Sequence, residues 1–214
     1  MSEQSNYVGR KQERGSPVFP WVVFCLKIAF VIYDNLTLLD FAGAYDSLTR
    51  LKTMGFVPDL AYEICAMTED VRSVEGARLI ADRVADDLST YDYVIIPGGD
   101  GIKDLMKDPV FLRWISVASE KTTVAALCGG SLLLGAAGLL AGKRATTHPQ
   151  LMGILKHFAG DVLPDRIVDE GNIITAGGVT SSIDLGLYLC EKIAGPGARE
   201  KIAAQMDYRF YRTT

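Results

Sequence analysis

Thr122-Thr123-Val124-Ala125-Ala126-Leu127-Cys128-Gly129-Gly130-Ser131-Leu132-Leu133-Leu134-Gly135 is the stretch on which the fold turns. A short apolar run stops on a cysteine, two glycines follow, and an apolar segment of helical character begins at once. Strand, sharp turn, helix is the build of a nucleophile elbow, in which the reactive side chain stands on a strained turn. Glycines after the cysteine leave room where a side chain would meet the bent backbone. The helix that follows turns its positive end toward the sulfur, which predicts a thiolate of lowered pKa. Cys128 is therefore a candidate nucleophile. The alternative for any free cysteine is a small buried hydrophobe, and the glycine pair in its strand-to-helix setting favours the nucleophile.

Outward from the elbow, strand patterns alternate with helix patterns. Lys27 to Tyr33 is a β-branched and aromatic run, a first strand that ends at Asp34-Asn35. A helix is expected from about Phe41 to Met54, closed by Gly55. Ala61 to Met67 reads as a strand, and Val71 to Ala81 as a hairpin turning at Glu75-Gly76. Tyr91 to Pro97 is a buried-type strand that runs into Gly98-Gly99-Asp100-Gly101. Asp108-Pro109 then opens a helix with Phe111, Trp114 and Ile115 on one face. Beyond the elbow come a short strand (144–147), a helix (149–158), a hairpin about Glu170-Gly171, and helices over 182–193 and 198–206. This order predicts a single-domain α/β flavodoxin-like sandwich, a mainly parallel sheet with helices on both faces.

A chain of 214 residues, 49% hydrophobic and 22% charged, can bury one sizeable core. Its net charge of -4 gives no broad attraction to nucleic acid or to an anionic membrane, so neither is an expected partner. Cys25, Cys65, Cys128 and Cys190 are scattered without a C-x-x-C pair. That spacing argues against a structural zinc site or a disulfide-stapled domain and fits a reducing cytoplasm. Residues 1–26 read as an N-terminal extension and 27–210 as the α/β domain. Within the extension, Val18 to Leu26 is apolar and follows Arg10, Lys11 and Arg14, as a signal-peptide core would. Pro20 interrupts it, Lys27 follows closely, and no small-x-small cleavage site comes next. A tail lying on the domain, or an upstream start codon, is the expectation.

In an open α/β sheet, ligands bind beyond the carboxyl ends of the strands. The loops after Tyr33 and Pro97, together with the elbow, would unite Asp40, Gly98, Gly99 and Cys128. Asp40 stands in Leu38-Leu39-Asp40-Phe41-Ala42-Gly43. A carboxyl that loses water there has a raised pKa and can carry a proton near neutral pH; a helix N-cap is the alternative. Gly98 and Gly99, with the amide of Gly129, offer N–H groups for an oxyanion hole. A plain tight turn is the alternative, and the full spacing of a phosphate-binding loop is absent. His148, at the end of a strand in Thr146-Thr147-His148-Pro149, is a lesser candidate base for Cys128. His157 reads as a helix residue without a role, and Asp184, three after Ser181, as part of a capping box.

With these residues in place, the chain resembles the ThiJ/PfpI superfamily, whose fold is like that of class I glutamine amidotransferases. The resemblance runs from about Lys27 to Met206 and rests on Ile96-Pro97-Gly98-Gly99, Leu127-Cys128-Gly129-Gly130-Ser131 and Leu39-Asp40-Phe41-Ala42-Gly43. Leu133 to Leu140, Gly142-Lys143-Arg144-Ala145-Thr146-Thr147-His148, Gly171-Asn172 and Thr175-Ala176-Gly177-Gly178-Val179-Thr180 with Ile183-Asp184 are most similar to isonitrile hydratases and related sensor-like domains.

The resemblance implies a cofactor-free enzyme, dimeric as superfamily members commonly are. Cys128 would be its nucleophile and Asp40 its acid–base group, and an isonitrile would become an N-substituted formamide. It also admits a glyoxalase or deglycase acting on small carbonyls, and a non-enzymatic ligand or redox sensor. Peptidase-like members carry His directly after the nucleophile, where this chain has Gly129. Amidotransferases need a late His-x-Glu, and no histidine follows His157. Both activities are disfavoured. Isonitrile hydratases typically carry Thr after the cysteine, Thr-Gly-Pro after the Leu-Asp-hydrophobic step, and an aromatic residue after Thr-Thr-His. Here Gly129, Ala42-Gly43-Ala44 and Pro149 stand in those places, so the pocket lining differs.

Overall fold

Apolar runs of the length a buried strand needs occur where the sequence predicts them, and they build one sheet. The computed structural model describes residues 25–117 and 121–209, so most of the N-terminal extension, with its signal-like run, lies outside the described residues. The first half of the chain forms β1 (Lys27–Val31), α1 (Leu38–Thr53), β2 (Ala61–Ala66), the hairpin β3 (Asp70–Arg72) and β4 (Arg78–Ile80), β5 (Arg83–Val84) and β6 (Tyr93–Ile96). Then follow α2 (Ile102–Leu105), α3 (Pro109–Ile115), β7 (Thr123–Leu127) and α4 (Gly130–Ala136). The last part forms β8 (Arg144–Ala145), α5 (Met152–Leu155), β9 (Asp161–Val162), β10 (Ile167–Asp169), β11 (Ile173–Ala176), α6 (Ser181–Ala194) and α7 (Pro196–Gln205).

The main sheet has seven strands in the order β10-β11-β7-β6-β1-β2-β5. Only β10 against β11 is antiparallel. Val124, Ala125, Ala126 and Leu127 of β7 are fully buried, as a strand covered on both faces must be. α1 packs with α6 and α7 on one side of the sheet, and α4 gathers α2, α3 and α5 on the other. The chain leaves β1 toward β2 and later returns to β6 on the opposite side of β1. Loops that diverge in this way open a crevice at the carboxyl ends of the strands, which is where such sheets hold their ligands. Among the described residues no helix is long and apolar enough to cross a membrane.

Several elements differ from their sequence reading. α1 begins at Leu38 rather than near Phe41, so Asp40 lies within its first turn. The expected helix over 149–158 is a 3-10 turn, Pro149–Leu151, followed by the single turn of α5. Pro149 opens that turn and Gly153 weakens its continuation. β5, β9 and α2 are too short to give a periodic signal. Asp184 is no capping residue, because Thr180 stands at the N-cap of α6 with no side-chain cap. Its carboxylate pairs instead with Arg166 and accepts from the hydroxyl of Tyr208 at 2.9 Å, tying α6 to the segments before β10 and after α7.

Candidate active site

The end of β7 delivers Cys128 in a strained conformation, with φ of +51° for a residue that has a side chain. Three hydrogen bonds hold the turn there. The Cys128 N–H donates to the carbonyls of Ala176 at 3.1 Å and Gly177 at 3.0 Å, and the Cys128 carbonyl accepts from Thr147 Oγ1 at 2.6 Å. The result is a sulfur at the bottom of the crevice, on a residue only 8% exposed.

Asp40 comes to the sulfur from α1 and is fully buried. Its Oδ2 accepts from the Gly98 N–H at 2.9 Å, while Oδ1 has no hydrogen-bond partner. Gly98 makes this approach feasible. A Cβ there would stand 2.6 Å from the Gly129 nitrogen, 2.8 Å from Asp40 Oδ2 and 2.9 Å from Cys128 Cβ. The three segments named from sequence therefore converge. Gly98, however, gives its N–H to Asp40, so it orients the carboxyl instead of facing the pocket as an oxyanion donor. Gly99 and Gly129 do line the pocket.

Electrostatics set the protonation of the pair. Burial raises the Asp40 pKa to about 7; the Gly98 N–H and the Cys128 thiol oppose that rise, and the charge of Glu75 adds to it. Burial first, then the adjacent Asp40, pushes the Cys128 thiol up to about 12, against the N–H groups of Gly129 and Val179 that hydrogen-bond the sulfur. The raised carboxyl agrees with its apolar sequence setting. The lowered thiol expected from the helix end does not occur, because loss of water and a neighbouring carboxylate outweigh the partial charges of the N–H groups. Above about pH 7 the pair holds one proton, on the thiol, and below it the carboxyl is protonated as well.

Above the pair lies a pocket of about 270 Å³, lined by Thr37, Val74, Ile102, Leu151 and Val179 among others, with the Asp100–Lys103 ion pair, His148 and Gln150 also in its wall. His148 Nδ1 accepts from the Gln150 N–H at 3.2 Å as the cap of the 3-10 turn. Nδ1 is thereby engaged in the turn, and the rest of the ring stands in the pocket wall. His157 is exposed, outside the site.

Sequence reasoning missed Val179, Val74, Ile102 and Glu75. Val179 stands in the Thr175–Thr180 run that carries part of the family resemblance, behind the Gly177-Gly178 pair, but without a role assigned to it. Glu75 and Val74 belong to the turn of the β3–β4 hairpin, which folds back onto the loop after β1. The Val74 N–H donates to the Leu36 carbonyl at 2.9 Å, and Glu75 Oε2 accepts from the Leu38 N–H at 3.1 Å.

Residues 26–192 match the DJ-1/PfpI family. The isonitrile hydratase of Pseudomonas putida is 35% identical over 187 residues, which cover 86% of this chain and 78% of that protein. A Caenorhabditis elegans protein named glutathione-independent glyoxalase is 30% identical over 60% of this chain and 70% of its own length. Among solved structures, a ThiJ/PfpI family protein from Pseudomonas syringae superposes with a TM-score of 0.76 at 24% identity, covering 94% of this chain and 84% of that one. Drosophila melanogaster DJ-1beta gives the same TM-score, 0.76, at 20% identity, over 87% of this chain and the whole of that one (100%). Fold, elbow and sequence likeness thus converge: the chain belongs to the DJ-1/PfpI family.

Proposed function

We propose that this protein is a cofactor-free, cysteine-dependent hydro-lyase that hydrates an isonitrile to an N-substituted formamide. The observation that carries the reading is the buried Asp40–Cys128 pair, a thiol and a carboxyl of raised pKa brought together beneath a small pocket. As Sγ bonds to the terminal carbon of the isonitrile, the Asp40 carboxylate takes the thiol proton. The electron pair left on that carbon then takes the proton from Asp40, giving a thioformimidate, R–N=CH–S–Cys128.

Asp40 next removes a proton from water as the oxygen bonds to the imidate carbon, and the nitrogen receives the π pair and that proton. In the last step the C–S bond breaks toward sulfur, the hydroxyl proton passes through Asp40 to Sγ, and R–NH–CHO leaves. The N–H groups of Gly129 and Val179 stabilise the sulfur whenever it carries charge, while Gly99 and His148 meet the substrate at the pocket wall. Gly98 keeps the Asp40 carboxyl in line for all three transfers.

Cys128, on a residue only 8% exposed, is less accessible than a redox-sensing cysteine usually is, which supports an enzyme over a sensor. A second reading, a glyoxalase acting on small carbonyls with the same cysteine, is favoured by the relatives named glyoxalases. Parallel assays separate the two: formamide from an alkyl isonitrile, and lactate from methylglyoxal. Saturable formamide production with little or no lactate is the expected result; lactate alone would replace the hydratase by the glyoxalase.

A further inference from the structure

The wall beside the nucleophile carries information about the other end of the substrate. A Cβ at residue 129 would stand 2.6 Å from Ile102 Cδ1 and 3.4 Å from Leu151 Cδ1, so these two aliphatic tips close over the backbone next to Cys128. Ile102 is 6% exposed and belongs to α2, which packs on α4 behind the elbow, so it is a fixed part of the wall. Val74 and Val179 extend the aliphatic lining.

Charge is nearly balanced in this pocket. Lys103 lies 2.9 Å from Asp100 in a solvent-exposed ion pair, so the formal charges of the wall cancel. Beneath the wall, ionised Asp40 carries negative charge. The pocket is open to solvent on its outer side, and its volume, about 270 Å³, is below the roughly 300–1,000 Å³ usual for pockets that take drug-sized ligands.

We propose that Ile102, with Leu151, is the specificity-determining residue of the site, and that the substrates it admits carry a compact, uncharged aliphatic group. A carboxylate on that group would face ionised Asp40 and the aliphatic tips of Ile102 and Leu151, with the lysine of the wall already paired to Asp100. A bulkier group would meet the Ile102 and Leu151 tips before its reacting atom reached Sγ. The reacting end of the substrate rests on the hydratase reading; the wall does not.

The test uses thiol reagents that need no turnover: N-ethylmaleimide, N-cyclohexylmaleimide and 3-maleimidopropionic acid, each followed at the Cys128 peptide by mass spectrometry. Rates are divided by those on a small free thiol. In the wild type, the carboxylate reagent is expected to react at least about tenfold more slowly than N-ethylmaleimide. Ile102→Val, which keeps the core filled, and Leu151→Ala, in a partly exposed position, are each expected to raise the cyclohexyl-to-ethyl rate ratio by about tenfold. Ratios unmoved in both variants, or a carboxylate reagent as fast as the ethyl one, would overturn the proposal. Formamide assays on the same proteins keep the two ideas apart. No formamide with shifted ratios sinks the hydratase and leaves the wall standing, whereas formamide with unmoved ratios sinks the wall alone.

Discussion

At the residue scale, Asp40 and Cys128 set how the protein responds to pH. With Asp40 raised to about 7, the pair takes up a second proton below that pH and the base is lost. kcat/KM is therefore expected to rise with pH through an apparent pKa of about 7, a property of the pair, and then stay level. Asp40→Asn should lack that limb altogether.

The raised carboxyl also affects stability. The folded pKa lies above the unfolded value of about 4, so between the two the folded chain holds a proton that the unfolded chain has released. Stability contributed by Asp40 is full below that window, falls as pH rises through it, and stays low above it. Relative to Asp40→Asn, the wild type should lose about 4 kcal/mol between pH 4 and 8, because each tenfold difference in proton affinity between folded and unfolded chain is worth roughly 1.4 kcal/mol. Denaturant melts at the two pH values measure this, and a constant difference between wild type and variant would contradict it. Asp40 was legible because its apolar neighbours announce loss of water. The thiol was not, because helix-end and burial effects oppose each other and only the packed structure says which is larger.

At the scale of elements, α1 has no side-chain cap of its own at Thr37, and the hairpin supplies one through Glu75 to the Leu38 N–H. That contact fixes the start of the helix two residues before Asp40. Glu75→Ala should cost about 1 kcal/mol, the usual worth of a lost cap, seen as a lower melting temperature. It should also move the acid limb of kcat/KM to lower pH, because the Glu75 charge helps to keep Asp40 protonated. Glu75→Gln retains an acceptor for the cap and should shift the limb with a smaller loss of stability. If neither variant moves the limb, the hairpin does not tune the site. The hairpin itself was legible from Val71 to Ala81, but its docking was not: a turn carries no periodicity that says where its tip will rest.

At the scale of the molecule, alternating strands and helices with a glycine elbow were enough to read the parallel sheet, and the crevice follows from where the strand order reverses. What the alternation does not carry is direction. The Gly98 N–H goes to Asp40 rather than to the pocket, and the Val179 N–H reaches the sulfur from the start of α6, some fifty residues beyond the elbow. Such details depend on how separate segments meet. Family resemblance adds the expectation of a homodimer, for which sedimentation velocity should report twice the chain mass; a monomer at assay concentrations would refute it.

Covalent hydration through Cys128 is tested by formamide production from an alkyl isonitrile by wild type, Cys128→Ser and Asp40→Asn, with intact-mass detection of the protein during turnover. Saturable wild-type activity is expected, with an adduct on Cys128 equal in mass to one isonitrile. Cys128→Ser should lose both adduct and activity, and Asp40→Asn should lose at least about a hundredfold in rate, the usual worth of an acid–base group. Full activity in either variant, or turnover by the wild type without any adduct even under rapid quenching, would contradict it.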